Sequence, residues 1–222
     1  MDEITLEDGR AVHATLCDAG NACVWVPATD LGRTGSELAE INDDAELLDT
    51  VREIRGKAAV LMGLATDWTR IDEQSPGLPM VGLVAPPEGC RTLSGGLIEE
   101  KEMDLRVRLL FMNRLHEAIA GSGSICLAAA SRVPGSVVAQ VAAARRPGEL
   151  LIGHPSGVTP TKVEVRVEDG TPVFDVLGFS RTARRLMAGT AYYQALGASA
   201  SSIASAGMTA STATSAATRN AV

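Results

Sequence analysis

A chain of 222 residues, 45% of them hydrophobic, can bury a real core as one domain or two small ones. Its net charge of -7 argues against a general binder of nucleic acid or anionic membrane, and 3% aromatic content leaves little for stacking on bases. No apolar run reaches membrane-spanning length, and Met1-Asp2-Glu3 does not read as a signal peptide, so a cytoplasmic protein is expected. The four cysteines, Cys17, Cys23, Cys90 and Cys126, form no CxxC pair and have no histidine at ligand spacing. Reduced thiols and no metal are therefore expected.

Residues 4–6 and 11–16 read as a hairpin around the Glu7-Asp8-Gly9 turn. Asp18-Ala19-Gly20-Asn21 is a second turn, leading into a buried strand over 22–26. Asn42-Asp43-Asp44 caps a long helix with Leu47, Leu48, Val51, Ile54, Ala58, Leu61 and Met62 at helical spacing. Residues 72–79 read as a polar loop, and 81–85 as a strand closed by Pro86-Pro87. Arg91-Thr92-Leu93-Ser94-Gly95-Gly96 is a small-residue turn. Leu105, Val107, Leu109 and Phe111 alternate with other residues, as in a strand with one buried face.

The stretch 121–135, GSGSICLAAASRVPG, organises the rest. It reads as a Gly/Ser loop running into an apolar helix, with Ser122 and Ser124 as candidate N-caps and Pro134-Gly135 as the stop. A helix that is apolar all round must be buried all round. Its N-terminus carries unpaired amides and the positive end of the helix dipole, so it suits a carboxylate or phosphate. Val137–Val141 resumes strand character. A short strand over 150–152 is expected to break at Gly153-His154-Pro155-Ser156-Gly157. Val163, Val165 and Val167 alternate with Glu164, Arg166 and Glu168, and Asp169-Gly170 turns the chain into a strand over 173–176. Arg181, Arg184 and Arg185 are the one dense basic cluster. The Ala/Ser/Thr-rich residues 196–222 read as a disordered tail behind a domain spanning 1–195. The expected fold is α+β: a curved, mostly antiparallel sheet wrapped around a short buried central helix.

Five segments, DAGN with ACVWV, RTLSGG, GSGSICLAAASRVPG, IGHPSG and FSRTARRLMAG, resemble in order the second half of the PrpF family. That resemblance implies a fold similar to one half of diaminopimelate epimerase. It implies that Ser122, Gly123 and Ser124 offer amides to a substrate carboxylate. It also implies a cofactor-independent isomerase of small unsaturated di- or tricarboxylates, of the aconitate or methylaconitate type, working by allylic proton transfer. The family's N-terminal half, with its Gly-Gly-Thr-Ser-Lys-type loop and its proton-transferring Lys and Cys, matches nothing here. No catalytic residue is therefore expected in this chain, which would supply the carboxylate-binding half. Its expected partners are an N-terminal half or a second copy. The alternative is a truncated, non-catalytic remnant or an anion-binding subunit.

Individual candidates carry bland readings beside the functional ones. Asn21 suits a tight turn by itself, and the resemblance makes it a cleft residue. His154 is a candidate substrate contact beside its reading as a loop hydrogen-bonder, and Ser156 and Gly157 in the same turn could meet a carboxylate. His116 reads as edge packing. Arg181 offers a fork for a carboxylate, against a solvated basic face. Ser94 is a weaker candidate of the same kind. Cys126, inside the apolar helix, reads as a small core residue.

Overall fold

The computed structural model of the chain describes residues 1–143, 145–181 and 184–190. Residues 1–181 form one compact unit. Residues 182–222 form a second, of which 184–190 are described as an exposed segment without regular structure. The expected tail at 196–222 and the domain end at 195 lie outside the described residues.

In chain order the elements are β1 (Asp2–Thr5), β2 (Ala11–Asp18), β3 (Ala22–Pro27), α1 (Ala45–Leu61), α2 (Ile71–Gln74), β4 (Met80–Ala85), β5 (Cys90–Arg91) and β6 (Leu97–Ile98). They continue with β7 (Leu105–Phe111), β8 (Arg114–Leu115), α3 (Gly121–Ala130), α4 (Val137–Val141), β9 (Glu149–His154), β10 (Gly157–Glu168) and β11 (Thr171–Phe179). Among the described residues the main sheet runs β1-β2-β3-β4-β7-β9-β10-β11, with β8 paired to β7. Its pairs are antiparallel except β3 with β4 and β7 with β9. The chain is thus a mixed α/β protein with a mostly antiparallel sheet.

Helices pack on both faces of the sheet. On one, Leu47, Val51, Ile54 and Ala58 of α1 pack on Val12, Val24, Val26, Val81 and Leu83. Asp44 caps α1 as expected, its carboxylate accepting the Leu47 N–H at 3.0 Å. On the other face, Cys126, Leu127, Ala128 and Ala130 of α3 pack on Trp25, Leu105, Val107, Leu109, Ile152 and Val163. Helix α3 touches β2, β3, β9, β10 and β11. In a flat sheet β2 and β11 would lie about six strand spacings apart, roughly 29 Å, whereas a helix is about 10 Å wide. The sheet therefore curves around α3. Within this core Trp25 of β3 lies in register with Gly82 of β4, and its ring fills the space a side chain at 82 would need.

Five local expectations need correction. Val137–Val141 is a helix, not a strand: the Ser136 hydroxyl accepts the Ala139 N–H at 2.9 Å, and this cap overrides the β-branched composition. Residues 72–79 are not all loop, because α2 enters them. Leu61 of α1 points to solvent, 66% exposed, so the buried stripe ends one turn earlier. Strand β7 is buried on both faces. Arg106 is held by the Pro86 carbonyl, Ser36 and Glu88, and Arg108 by the Glu37 and Val107 carbonyls. Finally, Gly153 does not break β9. It is small because Met103 and the Leu105 carbonyl crowd its Cα. The chain reverses only at Pro155-Ser156, with His154 opposite Gly157.

Candidate functional site

The N-terminus of α3 differs in detail from the sequence expectation. The helix begins at Gly121, and Ala120 occupies the cap position with no side-chain bond. Neither Ser122 nor Ser124 is the N-cap. Ser124 is fully buried, its N–H donates to the Ala120 carbonyl at 2.8 Å, and its hydroxyl donates to the Gly121 carbonyl at 2.8 Å. Ser124 therefore has no amide left for a ligand. The amides without an intrahelical acceptor are those of Gly121, Ser122 and Gly123. Gly121 and Ser122 are partly exposed, and Gly123 is buried against Leu109 and Met80.

The turn between β2 and β3 closes on this end. Asn21 donates from Nδ2 to the Ser122 hydroxyl at 3.2 Å, and Gly20 packs on Ile125. The end of β11 closes on it too, since the Phe179 ring meets Gly121 tip-first, with both Cε atoms 2.7 Å from where a Cβ would stand.

A second constellation joins three loops. The Leu93 N–H donates to the Pro155 carbonyl at 2.8 Å, which ties the RTLSGG turn to the β9–β10 turn. The Ser156 hydroxyl donates to the Glu117 carbonyl. Ser94 is exposed, and its hydroxyl pairs with Thr92 at 3.0 Å. Leu93, Phe111, Arg114, His116 and Glu117 line an open cavity of about 340 Å³ beside these loops.

His154 is buried, and its Nδ1 accepts the Ser156 N–H at 3.2 Å. Its proton therefore sits on Nε2, which faces the Thr159 hydroxyl at 2.9 Å. Burial, then the charges of Arg108 and His116, hold the imidazole down to about 4.

The sign of the pH effect follows. The folded pKa lies below the ordinary 6.5, so the unfolded chain binds the proton more readily between pH 6.5 and 4. Stability should fall as pH drops through this window, by roughly 3 kcal/mol at pH 4. Urea titrations at pH 7 and pH 4 should show most of that loss disappearing in His154→Gln. An unchanged pH slope in the variant would contradict the assignment.

The cysteines behave as core residues. The Cys126 thiol donates to the Cys17 carbonyl at 3.4 Å. Its contact with Cys17 lowers its pKa, but contact with Cys23 and burial outweigh that and push it up to about 12. Contact with Cys126, and then burial, push Cys17 up as well. Neither supplies a thiolate near neutral pH.

Of the sequence candidates, the structure brings Asn21 and Ser122 together at one helix end beside Gly123, and keeps His154, Ser156 and Gly157 in one turn. Arg181 is exposed, with its guanidinium 5.7 Å from the centroid of the Phe179 ring. Phe179 itself and Arg108 were missed. The GSGS glycine at 121 was the only local hint of the first, and nothing local marks the second.

Fold and site together define a mixed α/β protein whose central helix begins with amides that have no intrahelical acceptor, flanked by Asn21 and the Phe179 ring. The chain belongs to the PrpF family: the family model described as "PrpF protein" matches residues 1–194. It is 38% identical over 188 residues to a 3-methylitaconate isomerase of Eubacterium barkeri, covering 82% of this chain and 48% of the relative. It is 34% identical over 180 residues to a 2-methyl-aconitate isomerase of Shewanella oneidensis, covering 80% and 45%. A crystal structure titled methylitaconate-delta-isomerase superposes with a TM-score of 0.73 at 35% identity, over 87% of this chain and 52% of that one. The chain spans about half the length of the curated relatives it matches.

Proposed function

We propose that this chain is the carboxylate-binding part of a cofactor-independent isomerase of small unsaturated di- or tricarboxylates. The observation that carries the reading is the free amide end of α3, at Gly121 and Ser122, in a family whose relatives are named as isomerases of small carboxylic acids. The chemistry is an allylic proton shift. A base takes a proton next to the conjugated double bond, charge moves onto a carboxylate as a dienolate, and the proton returns at the far carbon. Amides fixed at a helix end stabilise that developing charge at no reorganisation cost.

In this reading Asn21, Ser122, Gly123, Ser156, Gly157 and Arg181 form the wall that holds the substrate. Ser124 supports it from beneath, and Ser94 and His154 position the loops. His154, neutral and hydrogen-bonded on both nitrogens, is no base of the required strength. The base belongs to the part of the relatives' length that this chain does not match. The arrangement corresponds to one half of a diaminopimelate epimerase-like fold, with the second half or another copy closing the cleft. The free cysteines fit a reducing compartment such as the cytoplasm.

Absorbance assays with trans-aconitate and methylaconitate test this. The chain alone should give no turnover. Adding the unmatched half of the Eubacterium barkeri relative should restore it. Turnover by the chain alone would contradict the placement of the base. Silence with the complement would favour an anion-binding remnant.

A further inference from the structure

We propose that Phe179 sets the selectivity of the α3 site for dicarboxylates by carrying Arg181. This rests on the reading that the amide end of α3 holds a carboxylate, and adds the partner for a second one.

Three observations support it. The Phe179 ring is partly exposed and meets Gly121 with its tip, not with either of its two faces. Arg181 lies over one of them, 5.7 Å from the centroid, at cation–π distance. The same ring thus touches Gly121, the first residue of α3, and carries a guanidinium over its face. Thirdly, Phe179 is paired in register with Thr161 of β10, so the two side chains share a face. The Thr161 hydroxyl on that face is buried and has no hydrogen-bond partner among the described residues. An unpaired buried hydroxyl beside the ring is costly unless a polar group comes to it.

A monocarboxylate uses the helix amides alone. A dicarboxylate of four or five carbons reaches across the ring edge, where the planar fork of Arg181 can take its second carboxylate by two parallel bonds. Without the ring, the same arginine is a long side chain free in solvent, and ordering it cancels most of the gain. Phe179 is thus a positioning residue, and Arg181 the group it presents.

The test is binding of mesaconate, a dicarboxylate, and crotonate, a monocarboxylate, to the full 222-residue chain, followed by nuclear magnetic resonance titration. The wild type should bind mesaconate at least tenfold more tightly than crotonate. Arg181→Ala should erase that preference by weakening mesaconate at least tenfold more than crotonate. Phe179→Leu should do the same, Phe179→Tyr should retain the preference, and the double variant should be no worse than either single one. Arg181 is exposed, so its variant tests the idea even if the Phe179 variants fold poorly. Equal weakening of both ligands in Arg181→Ala, a surviving preference, or additive losses would overturn the proposal while leaving the α3 site standing. If neither ligand binds the wild type, the α3 reading itself falls, and this one with it.

Discussion

Gly82→Ala should destabilise the chain by about 2–4 kcal/mol, enough to remove a large part of the stability of an ordinary domain. Propensity gives the opposite sign, since alanine in a strand interior is favoured over glycine. The packing decides. Trp25 is fully buried, lies in register with Gly82, and rests its ring where the new methyl would stand. The ring cannot swing out, because Trp25 belongs to the cluster that joins β3, β4, β7 and α3. Either the strands part or the indole leaves the core, and a tryptophan lost from a core costs about 3–5 kcal/mol. Urea denaturation monitored by Trp25 fluorescence measures this. Gly148→Ala, with open space around its Cα, is the control and should change stability by less than about 0.5 kcal/mol. A Gly82→Ala variant as stable as wild type would mean that β3 and β4 do not pair as described.

Gly121→Val should cost at least tenfold in affinity for a dicarboxylate, with a stability loss of only about 1 kcal/mol. The physical contrast with Gly82 lies in the neighbour. Phe179 is partly exposed at the end of β11, so its ring can move aside to admit a side chain. Folding survives that movement. The site does not, because the valine methyls then stand beside the first free amides and Arg181 loses its platform. Paired isothermal titration with mesaconate and urea unfolding separate the two effects. Affinity kept within twofold would show that the ring and the glycine play no part in binding.

Much of the scaffold was legible because its signals are local. The Glu7-Asp8-Gly9 hairpin, the Asp44 cap with its stripe Leu47, Val51, Ile54 and Ala58, and the alternation around Val163 each sit within one element. The all-apolar run after Gly123 correctly marked a helix enclosed by the sheet. What misled was local signal overruled by distant contact. Arg106 and Arg108 looked like a solvent face, yet both are buried, and groups 18 to 71 residues away accept from their guanidinium nitrogens. Val137, Val138 and Val141 favour strands, yet one serine cap turns them into a helix. Ser124 looked like a cap, yet the helix starts three residues earlier, at Gly121, which lies against a ring 58 positions downstream. No spacing rule within GSGS contains that contact.

The central claim is that the first turn of α3 receives a substrate carboxylate. Titrating trans-aconitate into isotope-labelled chain and following each backbone amide tests it most directly. The account predicts that Gly121, Ser122 and Gly123 shift together along one saturating curve, and that the His154 ring titrates at higher pH once the anion is bound. Amides of that turn that stay still, while shifts gather elsewhere or nowhere, would contradict it.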